Sequence, residues 1–286
     1  MTAVYGARSV KRARATKAQM QHRREVLYDI VQENQPVSVR GAYYRAVCAG
    51  IVPKTEQGYR QVQRALAEMR EVGDLPFAWI VDNGRRTYTG RSYDSVGDYL
   101  AAAASSYRRA LWSDAPAAVE VWAESDSIAG TVAAPCDAWD VPLMPTKGYP
   151  SKTFVWAAAQ TFVRRDRPVF VYYLGDLDPA GIDIERTVRE GLHRHAPETM
   201  FTFERVAVTF DQRDEWDLPT TPAKHRANVD FYGGAVEVEA VPPPTLRSML
   251  EDRIFSHFDQ RRLEVLLIAE DEERQLLERM AAGVGA

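Results

Sequence analysis

The residue pattern predicts a two-part α/β protein. A small three-helix unit with a two-stranded wing, a winged helix-turn-helix, comes first, and a mainly parallel sheet covered by helices follows. Three observations carry this. The chain of 286 residues is longer than one typical domain and short for three. From residue 118 onward apolar strand patterns alternate with helical ones, the mark of a parallel sheet buried on both faces. Before it, three helical patterns lead into an alternating stretch that holds Asn83-Gly84, a strong short hairpin signal. The expected divisions are a basic tail over 1–24, the winged-helix unit over 25–90, a linker helix over 91–118, and the sheet domain with a C-terminal helix over 119–286.

In chain order, Val26, Leu27, Ile30 and Val31 share one helical face before Pro36 stops the run. VRGAYYRAVCAG reads as a second helix ending at Gly50. Thr55 can cap a third, GYRQVQRALAEMREVG, that ends at Gly73. FAWIVDNGRRTYTG then reads as the wing. In a winged helix the third helix enters the major groove, so Arg60 and Arg64 on its polar face are candidate DNA contacts. Beyond the linker, AVEVWAE, VPLMPT, PVFVYYLGDLD and FERVAVTF read as strands. SIAGTVAAPCDAW, SKTFVWAAAQTFV and GIDIERTVREGLHRH read as the helices between them, and Arg261 to Met280 as a last, charged helix.

Composition narrows the function classes. With 45% hydrophobic and 27% charged residues the chain can bury sizeable cores. No run of eighteen apolar residues exists, so no membrane partner is expected; the two widely spaced cysteines suit a reducing cytoplasm, and DNA binding would associate the chain with the nucleoid. Cys48 and Cys136 stand far apart without metal-binding spacing and read as buried thiols. Trp112, Trp122, Trp139 and Trp156 read as core. The net charge of -4 conceals an N-terminal stretch in which Arg8, Lys11, Arg12, Arg14, Lys17, Arg23 and Arg24 meet no acid before residue 25. Such a stretch can condense on a polyanion, or stay solvated. Nothing resembles a P-loop, so ATP hydrolysis by this chain is not expected.

The chemistry concentrates in acids at predicted strand ends. Glu124 closes one strand, and Asp176 and Asp178 close another. Ligands of parallel sheets bind beyond the carboxyl ends of strands. Oxygen-only donors from separate elements suit magnesium, and converging anions without a cation would repel. A DxD taken alone is equally a turn or a helix cap, and Asp178-Pro179 has the form of a helix start.

VWAESD, PTKGYP, GDLDPAGIDI and VEVEAV, in that order, resemble the Toprim domain of topoisomerase VI A subunits and of the related meiotic double-strand-break protein. The preceding VRGAYYRAV resembles the tyrosine motif of that family's winged helix. The resemblance spans about Arg24 to Ile254 and departs from the family at Ser125, often a lysine there, and at Ala180, often an aromatic. It implies that Glu124, Asp176 and Asp178 hold Mg2+ and that Glu124 is also catalytic. It implies Tyr44 as the nucleophile with Arg40 beside it, and a loop through Lys147, Gly148 and Tyr149 next to the DNA. Glu239 falls in the family's later acidic motif. The implied activity is that of a type IIB topoisomerase, an isomerase that cuts double-stranded DNA as a homodimer, one subunit's tyrosine meeting the other's metal. A separate GHKL-type ATPase subunit is the further partner the resemblance brings.

A phenol oxygen can break a phosphodiester, leaving a 5′-phosphotyrosine and a free 3′ hydroxyl. Forming phenolate at neutral pH costs roughly 4 kcal/mol for a pKa of about 10, part of which a neighbouring arginine recovers. Two other activities fit the same residues. One is a Toprim metal-dependent nuclease in which water attacks and Tyr44 is structural, and the other is a non-catalytic DNA-binding protein.

Overall fold

A computed structural model describes residues 16–81, 92–223 and 231–284. Helix α1 (Lys17–Asn34) starts earlier than the apolar pattern predicts, because Thr16 and Gln19 form a reciprocal capping box. Residues 17–24 of the expected basic tail are therefore helical. Leu27, Ile30 and Val31 are its buried face, and Pro36 holds Gln35 extended so that the helix stops. A two-residue strand β1 (Val37–Ser38) leads into α2 (Val39–Cys48), where the Ser38 Oγ caps Gly41 N–H at 3.0 Å. Thr55 caps α3 (Glu56–Glu71) as expected, and the three helices pack on one another.

After a 3-10 turn at Phe77–Trp79 comes β2 (Ile80–Val81), which pairs parallel with β1. The predicted Asn83-Gly84 hairpin and the basic residues Arg8 to Arg14 lie outside the described residues. The linker helix is shorter than 91–118. Helix α4 (Val96–Ser106) ends at Tyr107, and the chain runs irregularly to 117. The reason is tertiary: the Tyr107 hydroxyl, Arg108 and Arg109 turn aside to Glu273 and Glu270 on the last helix.

The sheet follows: β3 (Ala118–Ala123), α5 (Asp126–Ala138), β4 (Leu143–Pro145), α6 (Lys152–Arg165), β5 (Val169–Leu174), α7 (Pro179–His195) and β6 (Phe201–Ala207). Its four strands are parallel in the order β4-β3-β5-β6. Alternate residues of β3 and β5 serve opposite faces. Trp122, Val171 and Tyr173 pack with Phe162 of α6 and Val188 of α7, while Val119, Val121 and Leu174 pack with Val132 and Leu250 on the other side. The chain enters at β3, moves out to β4, then crosses back to β5 and β6, so the winding reverses between β3 and β5. That reversal opens a crevice at the carboxyl ends of two neighbouring strands.

Helix α8 (Phe210–Glu215), a 3-10 turn at Val238–Ala240, α9 (Pro243–Phe255) and α10 (Gln260–Val284) complete the chain. α9 covers the α5 face, and α10 packs along α4. The helical unit does not stand apart from the sheet. Leu27, Tyr43 and Tyr44 belong to the same apolar core as Val121, Val238 and Leu250. Of the expected core residues, Trp122 is fully buried, Trp156 is 49% exposed on the outer side of α6, and Cys48 is exposed while Cys136 is buried. Among the described residues no helix is long and apolar enough to cross a membrane.

Candidate active site

The acids meet at the β3–β5 crevice. Ala123 pairs with Leu174, so Glu124 leaves the sheet level with the turn that carries Asp176. The Glu124 N–H donates to Leu174 O at 2.9 Å, and its Oε2 accepts the Asp176 N–H at 2.9 Å and the Tyr173 hydroxyl at 3.3 Å. Asp176 Oδ1 accepts the Val238 N–H at 2.9 Å, which ties the DxD turn to the later acidic segment. Asp178 is the N-cap of α7, with Oδ1 accepting the Gly181 N–H at 2.6 Å. Gly181 is obligatory: a Cβ there would lie 2.2 Å from Asp176 O and 3.1 Å from Glu124 Oε2.

A cavity of about 260 Å3 opens among Arg40, Glu124, Asp126, Lys147, Asp176 and Glu239, while Asp178 does not line it. Burial pushes the Glu124 carboxyl above the usual range, against the opposing help of the Asp176 N–H and Arg205. Asp176 is raised further, by burial and then by Glu124 and Glu239. Glu239 is 5% exposed, and its Oε1 has no hydrogen-bond partner, lying 3.8 Å from Arg40 Nε. Among the described residues no three His, Cys, Asp or Glu are arranged to hold a metal ion as the side chains stand. Glu124 and Asp178 each direct an oxygen to a backbone N–H instead. The donor set is nevertheless hard, anionic and partly orphaned, which fits a hard divalent cation.

A second cavity, about 430 Å3, adjoins through Arg40 and is lined by Tyr43, Tyr44, Lys54, Tyr59 and Glu237. Arg40 and Tyr44 stand one turn apart on α2. The Arg40 guanidinium pairs with Glu237. Burial works against its charge, but Glu239 and Glu237 overcome this and raise its pKa. Tyr44 is 4% exposed, and burial, then its hydrogen bond to Glu237, raise the phenol pKa. Lys54 Nζ lies 5.2 Å from the Tyr44 ring centroid and donates to Pro219 O. Tyr43 is also buried, with its hydroxyl donating to Thr55 O at 3.2 Å, so it anchors the α2–α3 loop.

The expected DNA contacts divide. Arg60 and Arg64 are exposed on α3, Arg60 reaching Glu56 at 2.5 Å. Lys147 borders the acidic cavity and pairs with Asp126 at 2.9 Å. Tyr149 lies apart from that cavity's lining, with its hydroxyl donating to Asp183 at 2.6 Å. Ser125, where the family often has lysine, caps α5 through Ile128 N–H at 3.2 Å.

Sequence reasoning missed Glu237, Lys54 and Arg205. Glu237 and Glu239 alternate in VEVEAV, which was signal enough to pair them; Arg205 sits beside Glu204 in the strand pattern FERVAVTF, a weaker sign. The chain matches no family model, and the comparisons with curated proteins and with solved structures give no match.

Proposed function

We propose that the chain is a winged-helix plus Toprim protein that cleaves duplex DNA with magnesium, in the manner of a topoisomerase VI A subunit, Tyr44 being the attacking group. The observation that carries this is the gathering of Glu124, Asp176 and Glu239 in one crevice at the strand-order reversal, joined by Arg40 to a tyrosine one helical turn away. Glu124, Asp176 and Asp178 would hold the cation, Glu124 and Asp178 by turning from the backbone N–H groups they now face. Bound magnesium would supply charge neutralisation at the scissile phosphate and the leaving oxygen.

The chain's own residues do the rest. The Tyr44 phenol passes its proton to the Glu237 carboxylate that faces it while its oxygen bonds to phosphorus. The O3′–phosphorus bond breaks, and O3′ takes a proton from solvent. Arg40, beside both Tyr44 and the acids, favours the phenolate as it forms. The exposed arginines of α3 bind the duplex backbone. Strand passage would require the GHKL-type ATPase partner.

The test is supercoiled plasmid incubated with magnesium, then electrophoresed with or without prior protease. Protein-linked 5′ ends, lost in both Tyr44→Phe and Glu124→Gln, are expected. A second reading has a specific observation in its favour. Tyr44 is buried and its phenol holds its proton tightly, which suits a metal-dependent nuclease using water. Protein-free ends and an active Tyr44→Phe would select it. No cutting at all, with DNA binding retained, would leave a non-catalytic binding protein.

A further inference from the structure

We propose that Lys54 binds a DNA phosphate at the tyrosine cavity and holds it against Tyr44 for attack. This inference rests on the cleavage reading above and adds to it a residue that touches the substrate.

The tyrosine cavity has two cations in its wall, and they differ in standing. Arg40 pairs with Glu237 and approaches Glu239, so its charge already has partners. Lys54 lines the same cavity and is half-buried. Among the described residues its ammonium forms no ion pair; it donates to a carbonyl, Pro219 O, at 2.7 Å. Burial lowers its pKa, with Glu237 the largest opposing influence. A partly desolvated ammonium that faces a cavity without an anion of its own is suited to an incoming one. Lysine has three donors on a flexible stem, so Lys54 can keep Pro219 O and still take a phosphate oxygen.

The loop that carries Lys54 is held on both sides. Pro53 O accepts the Thr55 N–H at 2.8 Å, and the Tyr43 hydroxyl donates to Thr55 O at 3.2 Å. A Cβ at Gly58 would lie 2.2 Å from Pro53 O, so the first turn of α3 sits hard against this loop. Pro219, beyond α8, tethers the far end of the side chain. Lys54 Nζ is thereby set 5.2 Å from the Tyr44 ring centroid before any ligand arrives. A cation placed in advance is most effective where charge develops.

The step balances with the groups present. Lys54 keeps its proton and donates to a non-bridging phosphate oxygen. The bond from the Tyr44 oxygen to phosphorus forms as the O3′–phosphorus bond breaks. The phenol proton passes to Glu237, and O3′ takes one from solvent. Negative charge that gathers on the phosphoryl oxygens between these events faces Lys54.

Two measurements compare wild type with Lys54→Gln and Lys54→Arg. Glutamine keeps a donor for Pro219 O and removes the charge, whereas arginine keeps the charge. Lys54→Met takes the place of glutamine should that variant fail to fold in thermal melting. In the first measurement, a labelled duplex of mixed sequence is bound without magnesium over a range of salt. Lys54→Gln should lower the slope of log affinity against log salt by about 1, and Lys54→Arg should keep the wild-type slope. An unchanged slope in Lys54→Gln overturns the proposal.

In the second, protein-linked DNA is followed in time on supercoiled plasmid with magnesium. Lys54→Gln should slow its formation by about 100-fold, the size of losing one donor aimed at developing charge, and Lys54→Arg should stay within about tenfold of wild type. A Lys54→Gln rate within about threefold of wild type overturns the proposal while the cleavage reading stands. A wild-type chain that never cuts, with the slope still falling by about 1 in Lys54→Gln, overturns the cleavage reading and supports the phosphate contact.

Discussion

Arg205 illustrates how much one side chain can decide. Its Nε pairs with Glu185 at 2.6 Å, Nη1 donates to Gly175 O at 2.8 Å and Asp176 O at 3.1 Å, and Nη2 reaches Gly181 O at 3.2 Å. The guanidinium also lies 5.2 Å from the Tyr173 ring centroid. It thus holds the backbone of the DxD turn from behind. Lysine could not reproduce that fork. Removing the charge would take this donor from the Asp176 and Gly181 carbonyls and leave Glu185 with Arg189 alone. Arg205→Ala is therefore expected to destabilise the fold by about 3 kcal/mol, measured by urea denaturation. A loss under 1 kcal/mol would mean the turn holds itself. The thiols give a second residue-level expectation. Burial lifts Cys136 to about 12, so at pH 8 it stays a protonated, enclosed thiol while Cys48 is exposed. A thiol reagent should modify one cysteine in the native chain and two after denaturation.

At the scale of elements, the start of α7 carries the site's geometry. Asp178 caps the helix and Gly181 lets the turn close on Glu124. Gly181→Ala should displace the Asp176 carbonyl, a backbone atom that cannot swing aside, and abolish cation binding measured by calorimetry. Wild-type affinity in that variant would show the crevice tolerates the shift. Helix α3 carries the other expectation. Its buried Val62, Leu66 and Met69 face the core, and Arg60 and Arg64 face solvent. The Arg60–Glu56 pair is exposed and contributes little to stability. Arg60→Ala with Arg64→Ala should leave thermal stability nearly unchanged. It should lower the salt slope of DNA binding by about 2, as two phosphate contacts would require.

At the scale of the whole molecule, the crevice is a concentration of unfavourable charge that the fold tolerates. Glu124, Asp176 and Glu239 all have raised pKa values, first through burial. Between the ordinary carboxylate pKa near 4 and those raised values, the folded chain binds more protons than the unfolded one. Without a cation, stability contributed by these groups is therefore present at acid pH and lost as pH rises through that window. A bound divalent ion reverses this. At one hundred times its Kd, magnesium should raise the melting temperature by about 5 °C at pH 8, and by less at pH 5 where protons compete. Asp176→Asn should melt higher than wild type in the absence of magnesium and show no magnesium response. A wild-type melting point indifferent to magnesium at both pH values would sink the cation site.

Much of this was legible in the residues. The strand–helix alternation from 118 onward is local physics, since a strand buried on both faces must read as an apolar run such as AVEVWA. The capping side chains Thr55, Ser125, Ser151 and Asp178 likewise act within three residues of themselves. Glu124 and Asp176 could be placed at strand ends for the same reason. Tertiary structure alone decided that β3 and β5 are neighbours, that the linker helix stops at 106 where Glu270 and Glu273 draw its end aside, and that Arg40 faces Glu237 across 197 residues of chain. Pairings of that kind depend on which faces meet when separate elements share a core. A pattern with a period of two or of 3.6 residues describes one face of one element and carries no information about the face opposite.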